Sequence, residues 1–241
     1  MTLLSFHNDP AIKEQYVARL RAHALADELV QEQYWENGKG CAVGCTIHSS
    51  NHAAYETMLG LPEWLARLED TLFEGLTNAD AKRFAVEFLE AIPVGVALDR
   101  VKGQFHVFLL QENLDRVQSL PLPPDLKQQI LAAIQRVLTL HEQSLVSGVS
   151  VTESVWRAAE SAAESAVWST ESAAESAVWS AVWSAWRATR SAWSATWSAE
   201  SAVWSAVWSA WSAAESAAES ARSAAYKRYV DQLVSLLREA R

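Results

Sequence analysis

The sequence predicts an all-α protein: a helical front domain of five or six helices over residues 1–148, then a long low-complexity Ser/Ala/Trp repeat helix over residues 149–241, either straight or folded back as a hairpin. Three observations carry this expectation. All eight glycines and all six prolines fall within residues 1–148. Between them, apolar residues recur every three or four positions, the spacing of one helix face. The remaining 93 residues contain neither breaker, and their small and large side chains alternate with a helical period.

In the front domain, Asp9-Pro10 is an N-cap followed by proline at the first helical position. Ile12, Tyr16, Leu20 and Ala24 then recur at a spacing of four, which predicts a helix from about 10 to 34, broken at Asn37-Gly38-Lys39-Gly40. The stretch Cys41 to His48 reads as an apolar turn or short helix. Residues 50–59 suggest a short helix ended by Gly60, and Pro62 opens another with Trp64, Leu65, Leu68, Leu72 and Leu76 on one side. Asn78 is a candidate cap for the next, with Ala81, Phe84, Ala85, Phe88, Leu89 and Ile92 inward and Pro93 as the stop. The run Phe105 to Leu110 suits a buried strand or a helix. With no second strand to pair with it, helix is favoured. Leu122-Pro123-Pro124-Asp125 restarts the chain, and Leu126, Ile130, Leu131, Ile134, Leu138 and Leu145 share a face.

The repeat is built from Ser-Ala-x-Z and Ser-Ala-Z units, where Z is Trp, Glu or Arg. One serine-rich stripe runs from Ser161 to Ser223, 62 residues in 17 steps, about 3.65 residues per step. An α-helix needs about 3.6 and a strand about 2. Alanine, the best helix former, explains how so simple a composition can be ordered. The Z stripe carries eight tryptophans between Trp179 and Trp211, each able to bury roughly 200 Å². Such a patch must be covered. The core of the stripe is Trp179, Trp183, Trp186, Arg190, Trp193, Trp197, Glu200, Trp204, Trp208 and Trp211, close to a palindrome about residue 195. An antiparallel homodimer would set Trp on Trp and Arg190 on Glu200 of the second copy, and a two-fold dimer is the commonest oligomer. The same stripe can instead be covered within one chain or by a different partner. After Tyr226, residues Tyr229, Leu233, Leu236 and Leu237 form an amphipathic end that suits docking on a core.

Composition excludes some classes. The net charge is -9, which argues against nucleic acid, since phosphate binding needs clustered Lys and Arg. No apolar run approaches the roughly 18 residues of a membrane span, and the start lacks a secretory pattern. Two cysteines are too few for a disulfide scaffold. A cytoplasmic location is expected.

One constellation suggests chemistry. Cys41, Cys45, His48 and His52 have offsets of 4, 7 and 11, which share a helix face. On a straight helix Cys41 and His52 lie about 16 Å apart, whereas zinc needs ligands within about 2.3 Å, so convergence requires a bend, which Gly44 permits. A reactive thiol near Lys39 and His48 is a second option. The plain alternative is that Cys41, Val43, Cys45 and Ile47 are small buried residues packing a turn. Glu69, Asp70, Glu74, Glu87 and Glu90 read as a solvated acidic face, and His7, His23, His106 and His141 as isolated. No P-loop or dinucleotide fingerprint is present.

Trp35-Glu36-Asn37-Gly38-Lys39-Gly40-Cys41-Ala42-Val43-Gly44-Cys45-Thr46-Ile47-His48, with Leu61 to Asp70 after it, resembles a group of uncharacterised bacterial and phage-associated proteins with a similar front domain followed by Ala-rich repeats bearing aromatic residues. The resemblance implies helical architecture and carries over no catalytic residue or cofactor. The departure here is Trp and Ser where Tyr and Ala are expected. The expected function is structural or protein-interaction, with self-association through the Trp stripe and no cofactor. The alternative is a small metal- or thiol-dependent enzyme, zinc being the metal, with its site around residues 41–52. A third reading takes the Trp faces as a platform for planar ligands.

Overall fold

A computed structural model describes residues 3–121, 124–147, 221 and 223–241. The tryptophan stripe, Trp179, Trp183, Trp186, Arg190, Trp193, Trp197, Glu200, Trp204, Trp208 and Trp211, lies outside the described residues, as does the rest of the repeat up to 220. The described chain is mainly helical. In order come a turn at Ser5–Asn8, α1 (Pro10–Leu25), β1 (Trp35–Glu36), β2 (Lys39–Gly40), α2 (Ala42–Ile47), α3 (Ala54–Leu59), α4 (Glu63–Gly75), α5 (Asn78–Ala91), α6 (Asp99–Ser119) and α7 (Pro124–Ser147), with a last helix, α8, at 223–239. Two compact units result: Met1–Phe108 with Ala221–Arg241, and Leu109–Ser220.

In the first unit, α1 packs on α5 and α2, while α4 packs on α5 and α2. Most of the apolar faces expected of α4 and α5 forms the core: Leu65, Leu72, Phe84, Phe88 and Leu89 are buried beside Leu20, Val43 and Ile47, while Trp64 and Leu68 are half-buried and Leu76 is buried just past the end of α4. The helix starts follow simple chemistry. Asp9 accepts the N–H of Ala11 with proline in the first turn of α1. Thr77, rather than Asn78, caps α5 by accepting from the N–H of Asp80. Gly60, at φ 64°, ends α3 in the left-handed conformation. The segment 105–110 is helical, inside α6. In α8, Val230, Leu233, Val234, Leu236 and Leu237 are buried, and Arg238 Nη2 lies 2.7 Å from Glu87 Oε1. In the second unit, Val117, Ile130 and Ile134 form a small cluster with the partly buried Leu110, Leu114 and Leu131.

Two expectations are corrected. The first helix stops at Leu25, not near 34. Asp27 turns left-handed at φ 58°, and the chain beyond it finds backbone partners elsewhere: Val30 N–H donates to the Gly40 carbonyl at 2.9 Å, and Gly40 N–H to the Glu28 carbonyl at 3.0 Å. Leu29 is then fully buried. Continued helix would forfeit that burial and both bonds. Secondly, the segment taken as a helix breaker is a hairpin. Trp35 pairs with Gly40 and Glu36 with Lys39, around Asn37 (φ 52°) and Gly38 (φ 82°). Two positive φ values in succession make the Asn-Gly turn whose twist suits a two-residue hairpin.

Candidate functional site

The Tyr34 carbonyl presses both on β2 of its own hairpin and on α2, so glycine is required at both contacts. A Cβ on Gly40 would lie 1.9 Å from the Tyr34 carbonyl oxygen, and one on Gly44 would lie 1.5 Å from it. This approach brings Tyr34 and Trp35 over the two ends of α2, where the four Cys and His residues sit.

Those four do not converge. Cys41 is the N-cap of α2, its sulfur accepting from Gly44 N–H at 3.5 Å. Cys45 donates its thiol to the Gly40 carbonyl at 3.3 Å. His48 ends the helix in a left-handed conformation, φ 54° and ψ 40°. His52 lies beyond it, with Nε2 3.3 Å from Asp70 Oδ2. The single helix face assumed from the spacing is therefore interrupted at both ends, because α2 is only six residues long. Among the described residues no three His, Cys, Asp or Glu side chains gather as metal ligands. Both thiols are buried and free. Burial, opposed by the Gly44 N–H and reinforced by the nearby Asp70 and Glu69 carboxylates, raises the Cys41 pKa well above that of an ordinary thiol. Burial pushes Cys45 up to about 12. A reactive thiolate needs the opposite shift.

Near the N-terminal end of α2 lies a buried polar cluster. Tyr55 donates its hydroxyl to Glu69 Oε2 at 2.7 Å, and both residues are fully buried. The acidic face expected at 69–90 is thus wrong for Glu69, which α4 turns into the core. Its carboxyl is pushed up to about 8, chiefly by burial, against the Tyr55 hydrogen bond and with help from the Asp70 charge. Glu69 Oε1 and Asp70 Oδ1 are buried without a hydrogen-bond partner. The ring of Tyr34 meets His52 edge-on at 5.9 Å. Of the other acids, Glu90 pairs with Arg21 at 2.7 Å.

At the C-terminal end sits a different cluster. His23, in the last turn of α1, holds the Glu28 carboxylate on Nδ1 at 2.6 Å and faces His48 with Nε2 to Nε2 at 2.9 Å. Trp35 stacks on His48 with centroids 4.3 Å apart and planes at 13°, and meets His23 edge-on at 5.4 Å. His48 is exposed. Partial burial, then Arg19 and His23, hold it below the ordinary imidazole pKa. In the sequence His23 looks isolated, and spacing marks neither Glu28 nor Trp35 as a site residue. The Asn37-Gly38 turn is the one signal in the sequence that folds Trp35 back against Gly40 and so beside α2. Nothing in the spacing joins His23 to His48.

No family model, no curated protein and no solved structure matches the chain.

Proposed function

We propose that this is a structural, protein-interaction protein that self-associates through its tryptophan stripe, Trp179 to Trp211. The observation that carries the reading is the near-mirror order of that stripe about residue 195, with Trp193 opposite Trp197, Arg190 opposite Glu200 and Trp186 opposite Trp204. A second copy laid antiparallel satisfies it with the same residues twice. The front unit supports the reading indirectly: burial and the raised pKa of Cys41 and Cys45 weigh against a thiol-dependent enzyme.

Light scattering on the full chain in a sizing column tests this. A mass near 53 kDa, twice the 26.6 kDa chain, is expected, falling to the monomer value in a Trp193→Ser, Trp204→Ser double variant. A parent mass near 27 kDa sinks the self-association reading.

A further inference from the structure

We propose that His23 and His48 form a metal site of their own, binding a borderline divalent ion such as zinc through their two Nε2 atoms, with Glu28 as its outer carboxylate. This is independent of the tryptophan stripe. It is also distinct from the Cys41, Cys45, His48, His52 set, three of whose members point elsewhere.

The distances favour it. Two imidazole nitrogens at about 2.0–2.1 Å from one ion stand about 3.0 Å apart when cis on an octahedron and about 3.3 Å apart on a tetrahedron. The two Nε2 atoms are 2.9 Å apart, so an opening of a few tenths of an ångström reaches the tetrahedral value. The rings meet at 84° with centroids 5.1 Å apart, nearly head-on across the Nε2–Nε2 contact, so each ring must swivel for both lone pairs to meet on one ion. The outer shell is in place. A metal-bound histidine usually gives its second N–H to a carboxylate, which fixes the tautomer and raises the donor strength of the other nitrogen. Glu28 Oε2, 2.6 Å from His23 Nδ1, occupies that position. The second ring is also held. Trp35 lies flat on His48, and the backbone of His48 keeps a left-handed conformation that non-glycine residues rarely adopt.

Imidazole donors select zinc, nickel or copper over calcium and magnesium. Two protein ligands leave the remaining positions to water, open to solvent on the exposed side of His48. Arg19 is the nearby cation that opposes binding. It is turned aside, with Nη1 donating to the Thr46 carbonyl at 3.0 Å and its guanidinium over the Tyr16 ring, and the Glu28 charge offsets it.

The test is titration of the full chain with zinc in competition with a chromophoric chelator, repeated with cobalt for its spectrum. One ion per chain is expected, with a cobalt spectrum free of any thiolate charge-transfer band. Affinity should fall at least tenfold in His23→Gln and in His48→Asn, and about 10–100-fold in Glu28→Gln. Asparagine tolerates the left-handed backbone, so His48→Asn should keep the parent melting curve. The proposal is overturned by no stoichiometric binding at 100 µM zinc, by a thiolate band, or by binding that a folded His48→Asn variant retains in full.

Discussion

At one end of α2, His52 is turned inward against Asp70, beside the buried Cys41 thiol and the Glu69–Tyr55 pair. At the other, His48 is exposed, stacked on Trp35 and joined to His23. The two histidines are four residues apart and carry the same side chain, yet one belongs to the core and the other to the surface. The difference lies in the backbone. His48 takes the left-handed cap that stops α2, and the chain leaves in a new direction, so His52 reaches Asp70 on α4. One end of α2 is therefore a place where polar groups are costly and constrained, and the other a place where they are accessible.

The largest expected effect removes both ends together. Gly44→Ala puts a Cβ into the Tyr34 carbonyl oxygen, a backbone atom that cannot step aside, and should destabilise the first unit by about 3 kcal/mol. Urea unfolding measures it, and a shift under 1 kcal/mol would show that the hairpin does not press on α2.

Next comes Glu69→Gln, which separates the buried end from the open one. The Glu69 carboxyl is raised from 4.5 to about 8 in the fold. Between those values the folded chain holds a proton that the unfolded chain has lost. Stability should thus fall as pH rises from about 4.5 to about 8, at up to about 1.4 kcal/mol per pH unit, and level off above. The Gln variant keeps a partner for the Tyr55 hydroxyl and should lack that slope. Parallel pH profiles for parent and variant would place Glu69 in water.

The smallest effect belongs to the open end. His48→Asn should change stability by no more than about 0.5 kcal/mol, since it alters an exposed side chain and keeps the left-handed cap. A loss above 1.5 kcal/mol in thermal melts would mean that the imidazole pair is part of the core.

The helices α4 and α5 were legible because each has a wide apolar face and clear punctuation: Pro62 opens α4 as its N-cap, and Pro93 lies just beyond α5. The end of α1 was not. Ala24 continues its spacing, and only Gly40, fifteen residues past Leu25, supplies the carbonyl and N–H that draw residues 28–30 out of the helix. The Asn37-Gly38 turn was visible as a break, while its strands are two residues each and carry no alternation to read. Of the candidate site, Cys41, Cys45, His48 and His52 stood out by spacing, but spacing on one assumed helix put them on a common face. The helix is too short for that, and His23 came to His48 from α1 across 25 residues of sequence.

The sequence by itself determined that the chain is mainly helical, where most helices in the front part begin, and that its long repeat has helical spacing with a tryptophan stripe to cover. These follow from local chemistry: caps, breakers and the 3.6-residue period act over a few residues. Tertiary structure alone decided that Glu69 is a core residue, that both thiols are sealed, and that His23, Glu28, Trp35 and His48 form one cluster. Those outcomes depend on which distant backbone groups and rings lie within a few ångströms, and local periodicity holds no record of them.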